Sequence, residues 1–171
     1  MGYGIIRISG KKMEMIEMNT CRFPSKMVAY KKLEQIHEII HNLIGSHKPD
    51  YFAIEAPFFG KNVQSMLKLG RAQGVAIAAA IQAGLPVAEY SPKRVKQSIT
   101  GNGNADKTQV MGMLQKLLNF SEKPEYLDAS DALAVALCHH FQQSRPEGIP
   151  NATSANNWKK FLQENPERIR Q

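Results

Sequence analysis

Cysteine and long apolar runs are scarce in this sequence. Only Cys21 and Cys138 occur, and they form no CxxC pair, which argues against a disulfide-stabilised secreted protein. No apolar leader opens the chain, so we expect a reducing cytoplasm as the compartment and both cysteines as packing residues. The longest unbroken apolar run, residues 75–81, is far shorter than the ~18–20 residues that span a bilayer, which argues against membrane insertion.

Negative charge is also in short supply. Lys and Arg number 22 against 15 Asp and Glu, which gives a net charge of +7 and a pI near 9.5. This balance favours a polyanionic partner or an anionic membrane surface, and charge alone does not choose between them. The length suits one α/β domain, and the change of composition after Gln143 predicts a domain over residues 1–144 followed by a linker and a short helical tail over 145–171.

Short apolar runs alternate with amphipathic stretches along the chain. The runs predict strands over residues 2–8, 13–18, 50–55 and 85–90. Spacings of three and four residues predict helices over 27–44, 62–83, 107–118 and 128–141, and Ser91-Pro92 predicts the start of a short helix. Gly45 and Pro49 are expected to end the first helix. The alternation predicts a three-layer α/β fold around a mixed sheet.

Three carboxylates are candidates for one site. Glu55 ends a predicted buried strand, and Asp128 and Asp131 lie three residues apart at the start of a helix, where they share a face and the positive end of the helix dipole. Ligand sites of open α/β sheets form at the carboxyl ends of strands, and carboxylate oxygens suit Mg²⁺ or Mn²⁺. By spacing alone, the simpler explanation is structural, with Asp128 as a helix cap, Asp131 as a partner of the helix dipole and Glu55 as a salt-bridged strand end.

Four blocks of sequence carry a resemblance to a known family. They are Tyr51-Phe52-Ala53-Ile54-Glu55-Ala56-Pro57-Phe58-Phe59-Gly60-Lys61-Asn62 continuing through residues 65–76, Glu89-Tyr90-Ser91-Pro92 with Val95-Lys96-Gln97, residues 101–107, and Asp128-Ala129-Ser130-Asp131. In this order they resemble the RuvC family of Holliday-junction resolvases, over residues 2 to about 140. The form of the first block and the Trp158-containing tail resemble the Bacteroidetes branch.

The resemblance implies an RNase H-like α/β/α fold and a metal-dependent endonuclease that nicks four-way DNA junctions symmetrically in recombination and repair. It implies that Glu55, Asp128 and Asp131 are catalytic metal ligands for Mg²⁺, with Mn²⁺ as a substitute. It implies catalysis and DNA binding by Lys107, and DNA binding by Phe58, Lys61, Asn62 and Lys96. It further implies a homodimer and the RuvA–RuvB branch-migration complex as partners. Taken singly, the lysines also fit an ordinary solvated surface and Phe58 fits a core position.

The sequence departs from the family pattern at its start. The family opens with a central strand ending in Asp-Pro-Gly, ten to fifteen residues before the Gly-Tyr-Gly that lies here at residues 2–4. We therefore expect that Met1 is an internal methionine of a longer resolvase, and that the chain as written cleaves weakly or not at all. The alternatives are a junction-binding protein without catalysis and an enzyme that acts on RNA–DNA hybrids.

Overall fold

A computed structural model describes residues 1–57, 62–121 and 127–144. The predicted tail over 145–171, and with it the domain boundary, lies outside the described residues. The same is true of Phe58 and Lys61.

An antiparallel hairpin opens the fold, as predicted. Strand β1 (Gly2–Ser9) pairs with β2 (Lys12–Thr20), and Gly10 turns the chain between them with a φ of +61° that glycine adopts without strain. The pairing register shifts between Ile5 and Ile6, which places a bulge in the middle of the ribbon.

Five helices and two further strands complete the described residues, and the predicted order of elements is confirmed. They are α1 (Ala29–His47), β3 (Phe52–Glu55), α2 (Val63–Gln82), β4 (Val87–Tyr90), α3 (Pro92–Thr100), α4 (Lys107–Leu118) and α5 (Leu127–Gln143). The prediction that Gly45 ends the first helix is wrong. The helix continues through it to His47, and Lys48 forms the left-handed cap with a φ of 46°.

The described strands form two pairs rather than one continuous sheet. Strands β3 and β4 are parallel, with Glu55 beside Tyr90, and they are not hydrogen-bonded to the β1–β2 hairpin. Helix α5 contacts all four strands and so joins the two pairs through side-chain packing. The α/β class is confirmed, and both parallel and antiparallel pairing are present.

Strand β3 lies between two helical layers, and its side chains alternate between them. Phe52 and Ile54 pack against the cluster formed by α1 and α2, which includes Ile36 and Ala76. Ala53 packs on the other side, against the core that α3, α4 and α5 share. Among the described helices, none is long and apolar enough to cross a membrane.

Candidate active site

Glu55 occupies the last position of β3, as predicted. The period of two along a strand puts it on the same face as Ala53, toward α5. From the other side, the side-chain amide of Gln73 on α2 donates a 2.7 Å hydrogen bond to the backbone carbonyl of Glu55. The strand end is therefore fixed while the carboxylate remains available.

Helix α5 presents Asp128 and Asp131 from its first two turns. Asp128 lies inside the helix, which begins at Leu127, so the alternative reading of Asp128 as a cap is wrong. Two glycines of β1 allow the helix to approach closely: a Cβ atom on Gly2 would lie 2.0 Å from the carbonyl oxygen of Asp128. The contact between β1 and α5 thus determines where the first acidic residue lies.

Lys107 meets Asp131 at the start of α4. Its Nζ atom donates to Oδ2 of Asp131 at 2.9 Å, between side chains that are 56% and 44% exposed. Asp106 fixes this end of α4 with a full capping box, in which its carboxylate accepts from the backbone of Gln109 and the Gln109 side chain accepts from the backbone of Asp106. Lys107 is consequently the first residue of a rigid helix.

The charges at this edge interact with one another. Burial raises the pKa of Glu55, the negative charge of Asp131 raises it further, and Lys107 and Lys96 oppose the rise. The hydrogen bond to Asp131 raises the pKa of Lys107; partial burial opposes this, while the charges of Asp131, Asp128 and Glu55 add to it. The charge of Lys107 therefore interacts with the charges of all three predicted carboxylates, which lie around this one cation.

The donor chemistry fits a hard divalent cation. Oxygen ligands from two or three carboxylates are what Mg²⁺ and Mn²⁺ accept in proteins. Within the part of the chain that the structure describes, no three acidic, imidazole or thiol side chains are grouped closely enough to enclose an ion. In this arrangement the ammonium group of Lys107 neutralises Asp131, so the ligand roles of Glu55, Asp128 and Asp131 remain predictions.

The glycine-containing loop between α3 and α4 uses its own backbone donors. The N–H groups of residues 101–106 all donate within the chain, to acceptors on Gln97, Thr100, Asn102 and Gln109. These six N–H groups are therefore already hydrogen-bonded within the chain and are not available to hold a phosphate. The loop is a rigid connection between two helices.

The remaining predicted residues fall into two groups. Lys96 lies on α3, close enough for its charge to lower the pKa of Glu55. Asn62 caps α2, and its side-chain oxygen accepts from the backbone N–H of Ser65 at 3.0 Å. DNA binding by Lys96 and Asn62 stays a prediction, as does the role of Phe58 and Lys61, which lie outside the described residues.

Two residues near the site, and one farther along α5, were missed by the sequence analysis. Gln73 holds the end of β3, Gln97 holds the loop after α3, and His139 of α5 is hydrogen-bonded through Nδ1 to the hydroxyl of Tyr90 at 2.8 Å. Gln73 and Gln97 both occur in family-like blocks, but nothing in their spacing indicates a role. The contacts of Gln73 and His139 join residues distant in sequence, so local patterns carry no signal for them.

An α/β fold that gathers carboxylates and lysines at the end of its strands is typical of metal-dependent phosphodiester hydrolases. The family described as crossover junction endodeoxyribonuclease RuvC matches residues 1–139. The chain belongs to this family, as the resemblance predicted, and the family consists of metal-dependent nucleases.

Named relatives and solved structures agree with this assignment. The chain is 49% identical to the RuvC crossover junction endodeoxyribonuclease of Bacteroides fragilis, over 99% of this chain and 90% of the relative. It is 51% identical to that of Cytophaga hutchinsonii, over 99% and 82% respectively. A structure of Thermus thermophilus RuvC in complex with Holliday junction substrate superposes with a TM-score of 0.78 at 30% identity, covering 83% of this chain and 87% of that one. A second Thermus thermophilus RuvC structure gives 0.76 at 31% identity, which confirms the predicted RNase H-like fold.

Proposed function

We propose that this chain is a crossover junction endodeoxyribonuclease, which resolves four-way DNA junctions by metal-dependent, symmetric nicking during recombination and repair. The observation that carries the proposal is the charge cluster around Lys107. This lysine is hydrogen-bonded to Asp131 and interacts electrostatically with Glu55 and Asp128. The cluster lies at the expected strand end, in a chain that matches the RuvC family over residues 1–139.

The three carboxylates are the proposed metal ligands. Glu55 and Asp131 already interact, and Asp128 lies one helical turn from Asp131. Mg²⁺, or Mn²⁺ in its place, would supply the positive charge that polarises a phosphate oxygen and activates water. The raised pKa of Glu55 has burial as its first cause, and the negative charge of Asp131 adds to the rise.

The lysines would bind the phosphate groups of the DNA strand. Lys107 is half-exposed, so its ammonium group can reach a phosphate as well as Asp131. A lysine acts there as a compact point charge that stabilises negative charge developing in the transition state. Lys96 adds a second cation on the neighbouring helix, and Lys61, Asn62 and Phe58 would contact the junction beyond the cleavage point, with Phe58 stacking on a base.

A homodimer would provide the two active sites that symmetric nicking requires. Helix α2 carries an exposed stripe on one face, formed by Val63, Leu67, Gly70, Gly74, Ala78 and Ile81. Val63, Leu67 and Ile81 are 67%, 59% and 62% exposed, which is unusual for large apolar side chains that lie in a row. Its small central residues allow another helix to approach closely, and we propose that a second copy of the chain covers this stripe.

Family resemblance also suggests cooperation with the RuvA–RuvB branch-migration complex. Both cysteines are free thiols, which suits the proposed cytoplasmic location.

The first test is cleavage of a synthetic four-way junction by the full chain in Mg²⁺. The proposed function predicts paired nicks, in contrast to the weak or absent cleavage expected from the sequence alone. Asp131→Asn should slow cleavage by at least about a hundredfold because it removes a proposed ligand and the partner of Lys107. Asp50→Asn, the same substitution on an exposed acid at the opposite end of β3, should leave the rate unchanged.

The competing functions give different results in the same experiment. Tight junction binding without cleavage would favour the junction-binding alternative, and cleavage of RNA–DNA hybrids in preference to junctions would favour the ribonuclease alternative. A metal-specific readout is independent of both: Mn²⁺ should raise the melting temperature of the chain, and Asp131→Asn should abolish that rise.

A further inference from the structure

The loop over residues 101–106 connects the two cations of the candidate site. Lys96 lies at the middle of α3 and Lys107 opens α4, and both charges act on Glu55. Because each lysine belongs to a helix, the shape of this loop sets the distance and angle between them. If this loop fluctuated, the position of Lys107 relative to Asp131 would vary.

Gln97 holds this loop with both ends of its side-chain amide. Its Nε2 donates to the carbonyl oxygen of Gly101 at 2.7 Å, and its Oε1 accepts from the N–H of Gly103 at 3.1 Å. One bond needs a donor and the other an acceptor, and a glutamine of this length supplies both from one planar group. Glutamate would keep only the acceptor, and methionine would keep neither.

Other contacts leave the loop little freedom. Gly101 caps α3 with a φ of +77°, and the hydroxyl of Thr100 both accepts from the N–H of Asn102 and donates to a backbone carbonyl. Gly103 lies against Lys93 so closely that a Cβ atom there would be 2.8 Å from the Lys93 Cγ. The Gln97 amide spans residues 101 and 103 and so ties the middle of the loop back to α3.

We propose that Gln97 is a positioning residue for strand cleavage: it locks the loop so that α4 starts in the orientation that presents Lys107 beside Asp131. The proposal rests on the proposed nuclease function and extends it to a side chain that touches none of the three carboxylates. Gln97 acts through Lys107, and its loss should affect the chemical step more than junction binding, because small misplacements of a reacting group are costly in the transition state.

The test compares Gln97→Met with Gln115→Met in the full chain. Both substitutions replace a glutamine by an uncharged side chain of similar length. Gln115 is a matched control because it also donates to a loop carbonyl, that of Ser121 at 3.3 Å, but at the far end of α4. Single-turnover cleavage of a saturating four-way junction, the dissociation constant of that junction and amide hydrogen exchange at Gly103 are measured for each.

Gln97→Met should cut roughly tenfold more slowly while its junction dissociation constant stays within about twofold of the unmodified chain. The Gly103 amide should exchange roughly tenfold faster, since it loses its acceptor. Gln115→Met should match the unmodified chain in all three measurements. Gln97→Glu, which keeps the acceptor, should protect Gly103 yet still slow cleavage.

Several results would overturn the positioning role. They are an unchanged cleavage rate in Gln97→Met, unchanged Gly103 exchange, an equal loss in Gln115→Met, and a slower reaction explained wholly by weaker junction binding. If the unmodified chain itself does not cut in Mg²⁺, both the proposed function and the positioning role fail. If the unmodified chain cuts and Gln97→Met cuts equally fast, only the positioning role fails.

Discussion

At the scale of single residues, the pKa of Glu55 depends on the other charges of the cluster. Neighbouring groups partly desolvate its carboxylate, and a like charge on Asp131 and opposite charges on Lys107 and Lys96 act on it. Because its pKa is raised, the protonated form favours the folded state. That contribution to stability is present below the unfolded pKa of the carboxyl group and is lost as the pH rises through its folded pKa.

Substituting the two neighbours of Glu55 should move its pKa in opposite directions. Asp131→Asn removes a repulsion and should lower it, whereas Lys107→Gln removes an attraction and should raise it further. The measurement is a pH titration of the Glu55 carboxyl carbon by NMR in metal-free chain. Asp50→Asn serves as the control and should leave the midpoint in place, and shifts of the same sign in both neighbour variants would show that the cluster is arranged differently.

Much of the candidate site follows from the sequence, and the limit is physical. The strand end at Glu55 and the helical placement of Asp131 follow from local spacing, since periodicity is a local property. That these residues lie at one site does not follow from local spacing. The contact of Lys107 with Asp131, for example, joins residues 24 apart in sequence and depends on tertiary packing. The family-like blocks pointed to Lys107, whereas Gln97 became visible only through its hydrogen bonds to the loop.

At the scale of elements, helix ends and the close contact of α5 with β1 differ in predictability. Ser91 and Pro92 start α3 as predicted, because a cap and a first-turn proline act within a few residues. The end of α1 was misjudged because Gly45 is tolerated inside a helix that packing already stabilises. The division of the strands into two pairs bridged by α5 could not be predicted either, since helix-on-strand packing is tertiary.

Adding one methyl group should destabilise the fold at Gly4 and stabilise it at Gly45. A Cβ atom on Gly4 would lie 2.7 Å from Cδ2 and 2.9 Å from the backbone nitrogen of the fully buried Leu133, so Gly4→Ala should cost about 1–3 kcal/mol. Gly45 has no neighbour within 4 Å inside α1, so Gly45→Ala should add about 0.5–1 kcal/mol of stability. Urea unfolding measures both, and equal effects of one sign would contradict the close contact of β1 with α5.

At the scale of the whole molecule, helix α2 connects its exposed stripe to the candidate active site. One copy of the chain presents one charge cluster around Lys107, and symmetric nicking of a junction needs two. The opposite side of α2 packs through Ala76 and Ala79 against α1, so the stripe is free to face a partner while the helix holds Glu55 through Gln73. The proposed dimer contact and the hydrogen bond that holds the end of β3 are therefore on the same helix.

Leu67→Gln should separate the copies without unfolding either, and Leu69→Gln should do neither. Both leucines are exposed, at 59% and 49%, but at 3.6 residues per turn Leu69 lies about 200° around the helix from Leu67 and so off the stripe. Sedimentation should show the dimer weakened by at least about tenfold in Leu67→Gln, with thermal unfolding of the monomer nearly unchanged. Below its new dissociation constant this variant should release singly nicked junctions where the unmodified chain releases resolved ones. Equal dimerisation by the two variants would mean that another surface joins the copies, and paired nicking by a proven monomer would mean that two-fold symmetry is not what couples the cuts.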